Sequence, residues 1–401
     1  MAEILSTLSS DGLAGTPIAP GDRYQTMAAW ESARQGDTGS GDTSALECYI
    51  GTTTQGLWQA DGSLQESGIS ISGWTTDASD YPVIRPAAGQ GHEGVVGAGF
   101  TLKATATGQT ILTNSSSNTR IQGFTISQLS NATASRALSS AAFSYFDAMI
   151  SSTLSSDSPA YASSTDDSGV WTNCLAIDSV VGFSAGNFDH PTWNQNTVVN
   201  CVTGFTRTGT GGTDATINNC VSYGGTTDYS GTKFTGSNNA SEDATAVGTA
   251  PVTGVTDVDF ENYAGGDYHA SSAGLLAYGA GLDLSGTVDF DIAGDVRSAP
   301  PGYTIGAYNE VGGAPAGAVL DTPTVTAIAQ TTATIGCTTD TAGGTLYWTV
   351  TESATATAAD IKAGTGVDSG NFVPGGTGPQ IVGATGLTAD TAYYHHWVQV
   401  T

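Results

Sequence analysis

The feature that most limits what this chain can fold into is a short motif that returns. IQGFTI (residues 121–126), TNCLAI (172–177), VNCVTG (199–204) and NNCVSY (218–223) each carry an amide residue, then Gly or Cys, then an apolar residue. The Gly or Cys positions are 123, 174, 201 and 220, so the intervals are 51, 27 and 19 residues. They fit two turns, one turn and one turn of a coil averaging a little over 24 residues. Self-similarity of this kind marks a solenoid, in which each unit buries its apolar side only by stacking on the next.

The residues around the motif make the solenoid a β one. From about residue 44 to residue 229 the chain is a series of short β-type runs punctuated by Gly, Asn, Asp or Ser. Lys and Glu, the good helix formers, are scarce, while 54 glycines supply turns. The reading is an all-β fold, a parallel β-helix whose coils stack at a strand spacing of about 4.8 Å. Cys174, Cys201 and Cys220 are expected in one column, with Asn173, Asn200 and Asn219 in a neighbouring column whose amides bond up the stack. Core packing is the ordinary role for all six, and redox or metal chemistry the alternative. The five cysteines are odd in number and lack CxxC or Cys/His spacing, so they read as buried free thiols.

Residues 1–21 carry little pattern and read as an N-terminal arm that orders against something else. Within a cap over residues 22–50, DRYQTMAAWESARQ (22–35) is helical, with Thr26 as N-cap, Met27 and Trp30 on one face and Gly36 after the end. It suits a lid over an exposed core end. The β-helix proper is placed at 51–244 and its closing segment at 245–311. The opening MAEILSTLSSDG has neither a basic n-region nor a long apolar run and does not read as a secretory signal.

The words SEDATAVGT (241–249), AGGDYHASSAGLLAYGAGLDLSG (264–286) and DFDIAGDVRSAPPGYTIGAYNE (289–310) carry a family resemblance. They resemble the closing segment of right-handed parallel β-helix (pectin-lyase-like) proteins, among them polysaccharide-active proteins and many phage structural proteins. Asp291, Gly294, Asp295 and Arg297 fall at its acidic-turn positions, and Ile305, Gly306, Ala307 and Tyr308 at its terminal strand. The sequence departs from the pattern at Leu275, Leu276 and Ala277, where a proline-containing turn is missing, and at Asn309. The entry segment, residues 22–37 with ECYIG (47–51), is similar to the N-terminal cap of many phage-encoded β-helix proteins, so the resemblance covers roughly residues 22–310.

Residues 312–321 read as a linker. From 322 to 401, TPTVTAIAQ, ATIGCTTD and TLYWTVTES alternate apolar and polar residues, and LTADTAYYHHWVQV follows. This resembles a fibronectin type III or immunoglobulin-like sandwich, with Trp348 as a core aromatic, Tyr393 at a tyrosine corner and a short helix from TAADIKAG (357–364). The module reads as a partial sandwich with its last strand missing, either because the chain is cut short or because a neighbour completes it.

Chemistry is hard to place. A lyase needs a carboxylate cluster with an Arg or Lys base, yet Lys103, Lys233 and Lys362 are the only lysines and no Arg adjoins an Asp cluster within the repeats. A glycoside hydrolase needs carboxylates at a fixed separation. Asp166 and Asp167, the dense pair of the repeats, sit in the polar loop SSTDDSG and read as a solvated turn. The most suggestive segment is NFDHPTWNQN (187–196), where Asp189 and His190 form an acid/base pair and Trp193 offers a stacking face, with Trp171 extending the platform. Ordinary packing competes with glycan contact there. Asp289, Asp291 and Asp295 are a weak calcium candidate, lacking the EF-hand pattern and its terminal Glu. His395 and His396 point to opposite faces of a strand and do not chelate together. No cofactor is implied.

With 37 acidic against 10 basic residues, the formal charge is -27. That disfavours nucleic acid and anionic lipid as partners, and no run reaches the roughly 18 to 20 apolar residues that span a bilayer. Three function classes stay open. The resemblance implies a structural, surface-exposed bacteriophage virion protein (tail fibre, spike or capsid decoration) with weak host-glycan or cell-surface binding, favoured because no catalytic set stands out. The others are a polysaccharide-degrading β-helix enzyme and a bacterial extracellular adhesin. Under the first, the partners are other virion proteins through the N-terminal arm, further copies of the chain (a trimer is common among β-helix spikes) and a host glycan. The location is then the virion surface after assembly in the host cytoplasm. The acidic residues, mostly in turns and caps, read as a solubilising coat.

Overall fold

The computed structural model describes residues 2–10, 23–35, 42–52, 57–66, 68–77, 79–104, 110–128, 136–152, 159–163, 168–186, 189–208, 214–272, 274–277, 279–297, 303–309, 320–339, 345–374 and 377–400. The chain divides into two compact units, Met1–Val311 and Gly312–Thr401.

In the first unit three parallel sheets of ten, nine and seven strands run along a solenoid. The first sheet includes Pro82–Pro86, Arg120–Gln122, Tyr145–Asp147, Val170–Thr172, Thr192–Asn194 and Ala215–Asn218. The second sheet carries Thr125–Gln128, Ile150–Ser152, Leu175–Ile177, Thr197–Val199 and Val221–Tyr223, and ends at Val252–Thr253. Along it Thr125 pairs with Ile150, Ile150 with Leu175, Leu175 with Thr197 and Thr197 with Val221, so coils advance by 25, 25, 22 and 24 residues. The fold is a parallel β-helix.

Each coil needs sharp corners, and the corner between the first and second sheets explains the returning motif. Ala148, Asn173, Gln195, Asn219 and Asn238 all sit there at φ of 49° to 56°, with Gly123 at 78°. Gly and Asn tolerate this left-handed region best. The corner residue is followed by a buried position, filled in turn by Phe124, Met149, Cys174, Asn196, Cys220 and Asn239. The expected columns are therefore corrected. Gly123 aligns with Asn173 and not with Cys174, and Asn200 and Cys201 belong to the next corner, after the second sheet, beside Asp178 (φ 53°) and Ser179. Asn173, Asn200 and Asn219 do not form the expected ladder of amides; those one position after the corner bond up the stack instead: Asn196 Oδ1 accepts from Cys174 N (2.8 Å) and its Nδ2 donates to Trp171 O (3.0 Å), while Asn239 Oδ1 accepts from Cys220 N (3.0 Å).

Residues one strand position apart face opposite sides, so Ile121, Phe146, Trp171, Trp193 and Ile217 point inward from the first sheet and are buried. The third sheet contributes a column of rings, Tyr161, Phe183, Phe205 and Tyr229, with centroids 4.8 to 5.1 Å apart. All five cysteines are free and buried. Burial pushes the Cys201 and Cys220 thiols up to about 12. A thiol reagent at pH 8 is therefore expected to modify no cysteine in the native protein and all of them in denaturant. One rapidly reacting equivalent in the native state would refute the inward placement.

Residues 2–8, expected as an arm that orders against something else, form a strand of the first sheet of the solenoid. Ala2–Leu8 pairs in parallel with Asp42–Cys48 along its whole length and with Arg23–Tyr24 at its end. Residues 1 and 11–21 of the expected arm lie outside the described set. Met27–Arg34 is helical, and the Thr26 side chain accepts from Ala29 N at 3.1 Å. The Glu66 carboxylate takes the Met27 and Ala28 amides (2.8 and 2.9 Å), and Met27 and Trp30 are in the core.

After Thr253 the chain turns back along the outside of the second sheet. Val255, Phe260, Leu276, Ile292, Ile305 and Tyr308 cover its outward row of Ile150, Leu175, Ile177, Val199 and Val221. Residues 305–308, expected as a terminal strand, form no ladder among the described residues, but Ile305 and Ala307 are buried and Gly306 N bonds Asn219 O at 2.8 Å. The corner amides anchor this return segment. Asn173 Nδ2 donates to Phe290 O (2.8 Å), Asn219 Nδ2 to Leu282 O (2.8 Å) and Asn238 Nδ2 to Ala280 O (2.7 Å).

The second unit has two three-stranded antiparallel sheets. Leu320–Thr326, Ala333–Thr339 and Gly378–Ala384 form one, and Asp368–Phe372, Thr345–Thr351 and Tyr394–Val400 the other. Ile335 of one packs with Trp348 and Val350 of the other in a small core. Ala358–Ala363 is the short helix expected there, closed by a Thr357–Asp360 capping box and by Gly364 at φ 70°. Most of the expected linker, residues 312–319, is outside the described set.

Candidate functional site

The inward alternation of the first sheet fixes what faces outward. Around Ile121, Phe146, Trp171 and Trp193 stand Arg120 and Gln122, Tyr145 and Asp147, Val170 and Thr172, Thr192 and Asn194. Residues 286–290 of the return segment rise beside them and enclose a groove of about 650 Å³. Asn173 Nδ2 and Arg297 Nε both hold the wall by donating to Phe290 O, at 2.8 and 3.2 Å.

Two aromatic faces meet solvent in this groove, Tyr145 (37 % exposed) on the floor and Phe290 (53 % exposed) on the wall. The Arg120 guanidinium lies 4.3 Å from the Tyr81 ring centre and 5.3 Å from that of Tyr145. Asp147 accepts from Asn173 Nδ2 at 3.1 Å; burial pushes its carboxyl above the usual range, against the opposing pull of Asn173, the Ala148 amide and Arg297. Asp289 Oδ1 takes the Gly286 amide at 2.8 Å. Rings over a floor of hydroxyls and amides suit the apolar faces and hydroxyls of a sugar chain.

No family model, no curated protein and no solved structure matches this chain. The groove geometry thus carries the functional argument.

Of the residues singled out in the sequence, Asn173 and Asp289 line that groove, and the proposed glycan-contact residues do not. Trp171 and Trp193 are 0 % and 1 % exposed inside the solenoid, so neither ring reaches a glycan. Asp189 is buried and takes the Gly186 amide on Oδ2 at 2.6 Å, while His190 is exposed, and with both Trp rings inside the solenoid the expected stacking face beside them is not formed. Asn187, Phe188, Asp166 and Asp167 lie outside the described residues. The calcium reading of Asp289, Asp291 and Asp295 is also corrected. Asp291 spends its oxygens on the amides of Ala293, Asp295 and Asn309 (2.9 to 3.0 Å), and no group of three metal-ligating side chains converges among the described residues. His395 and His396 lie opposite Val350 and Thr349, on alternate faces of their strand.

The groove residues Arg120, Tyr145, Asp147 and Phe290 were missed because two coils and a distant return segment bring them together. One signal was present. RIQ, YFD, VWT and TWN are the same triplet, an apolar centre flanked by outward residues, and aligning them places Tyr145 beside Arg120.

Proposed function

We propose that this chain is a structural, surface-exposed protein of a bacteriophage particle, a tail fibre, spike or capsid decoration protein, that holds a host-surface glycan in the first-sheet groove. The groove carries the glycan part of the reading, because Tyr145 and Phe290 present exposed rings over a floor of Gln122, Thr172, Thr192 and Asn194. The particle setting is supported by the resemblance of residues 22–310 to phage β-helix proteins. The second unit adds support for a fibronectin- or immunoglobulin-like module: Tyr393 Oη accepts from Thr388 N at 3.1 Å, the bond of a tyrosine corner. Self-association, as a trimer in the first instance, belongs to the same proposal and is read by sedimentation.

A degrading enzyme is the second reading, favoured by the two carboxyls of the groove, Asp147 and Asp289, of which Asp147 is displaced toward its acid form. The two readings separate in one assay. The full chain should bind host-surface polysaccharide and release no new reducing or unsaturated ends, and steady release would replace the structural reading with the enzymatic one. Tyr145→Ala should weaken binding about tenfold, ~1.4 kcal/mol for one lost stacking face. Labelling the chain on intact particles tests the setting, and absence of label from every particle would overturn it.

A further inference from the structure

Arg120 differs from Arg85, Lys103, Lys233 and Arg297, the other basic groups of the solenoid whose partners are defined by the fold. Arg85 pairs with Glu47 at 3.2 Å, Lys103 with Asp61, and Lys233 with Asp214 at 3.6 Å. Arg297 is buried among carbonyl and amide oxygens of the return segment. Arg120 is exposed, lines the groove and has no carboxylate within ion-pair distance among the described residues, in a chain where acids outnumber bases 37 to 10. Its contacts are the faces of Tyr81 and Tyr145. Two rings hold the guanidinium plane before any ligand arrives and leave its N–H fork unspent.

Resting on the reading of the groove as a glycan site, we propose that Arg120, braced by Tyr81 and Tyr145, is a subsite for the carboxylate of an acidic sugar residue. The guanidinium fork matches a carboxylate with two parallel bonds, and a pre-placed fork loses less freedom on binding than a free side chain. Tyr145, directly opposite Arg120 in the strand register, then offers its exposed part to the same or the next sugar ring.

The acidity of the chain does not forbid an anionic ligand. At 0.15 M salt, charges beyond about 8 Å are largely screened, so local groups decide. The acids that line the groove are Asp147 and Asp289. Burial favours the uncharged form of Asp147, and Asp289 has one oxygen engaged by the Gly286 amide. Arg120 and Tyr145 lie two residues before Gln122 and Asp147 on the same outward face, so the cation sits at one side of the floor and the carboxyl at the other.

The test uses the full chain and a panel of uronate- and sialate-bearing polysaccharides, each beside its carboxyl-reduced form. The expected result is at least tenfold tighter binding of the acidic form of one panel member, abolished in Arg120→Gln and partly kept in Arg120→Lys, with unchanged melting temperatures. Equal binding of acidic and reduced forms overturns the carboxylate subsite and leaves the glycan groove standing. An acidic preference that survives in Arg120→Gln overturns the assignment to Arg120. Binding of neither form by any panel member overturns the subsite and the groove reading together.

Discussion

Replacing Arg297 by leucine is expected to release the return segment from the solenoid, at a cost of about 4 kcal/mol. The side chain is 4 % exposed, and its guanidinium donates to Phe290 O, Thr304 Oγ1, Asn309 Oδ1, Asn173 Oδ1, Gly306 O and Ala307 O at 2.7 to 3.3 Å. Leucine fills part of the volume and satisfies none of these acceptors, and each buried acceptor left unpaired costs ~1–3 kcal/mol, less than additively. The coils should survive, because their ladders do not involve Arg297. Limited proteolysis should therefore cut the variant within residues 279–309 at a concentration that leaves the parent intact, with a lower first melting transition. Arg297→Lys keeps the charge but not the fork, and should fall between the two. Unchanged melting and an unchanged digest in the leucine variant would show that the segment is held by its apolar face alone. Because Arg297 also holds Phe290 O, glycan binding should weaken in step with the loosened wall.

That network shows what was legible in the sequence and what was not. The solenoid could be read because stacking forces the same local geometry on every coil. Its register could not be read from Cys and Gly identities, since what repeats is a left-handed backbone angle of 49° to 78°, met by Gly123, Ala148, Asn173, Gln195, Asn219 and Asn238 alike. Ala148 in that series carries no sequence signal, being a residue that enters the left-handed region only when its neighbours require it. Matching on cysteine consequently drew Cys201 into the wrong corner. The second role of the corner amides was hidden for a different reason. Asn173 looks like a member of an internal ladder, but its amide spans the groove floor and the return segment by touching Asp147, Phe290 and Arg297, more than a hundred residues apart. Likewise the apolar outward row Ile150, Leu175 and Val221 makes sense only once residues 255–308 lie over it.

The second large effect is expected at Trp171, and it separates packing from recognition at a residue that the sequence left open. Trp171 stacks on Phe146 with ring centres 3.9 Å apart, tilts against Tyr161 at 5.4 Å and meets Phe183 edge-on at 6.3 Å. Trp171→Ala removes the centre of this cluster and should cost ~3–5 kcal/mol, the range for truncating a large buried ring. Trp171→Phe should cost much less. The Nε1–H of Trp171 is buried without a partner, so phenylalanine discards an unsatisfied donor while keeping most of the ring contact. The Phe variant should then bind glycan as the parent does, since the ring faces the interior and the groove lies on the opposite side of the strand. Tyr145→Ala should show the reverse pattern, with binding lost and melting nearly unchanged. If Trp171→Phe lost binding while its melting temperature held, the first sheet would have to present its other face to solvent. The inward placement of Phe146, Trp193 and Ile217 would fall with it, because a one-residue change of register moves every side chain of a strand to the opposite face.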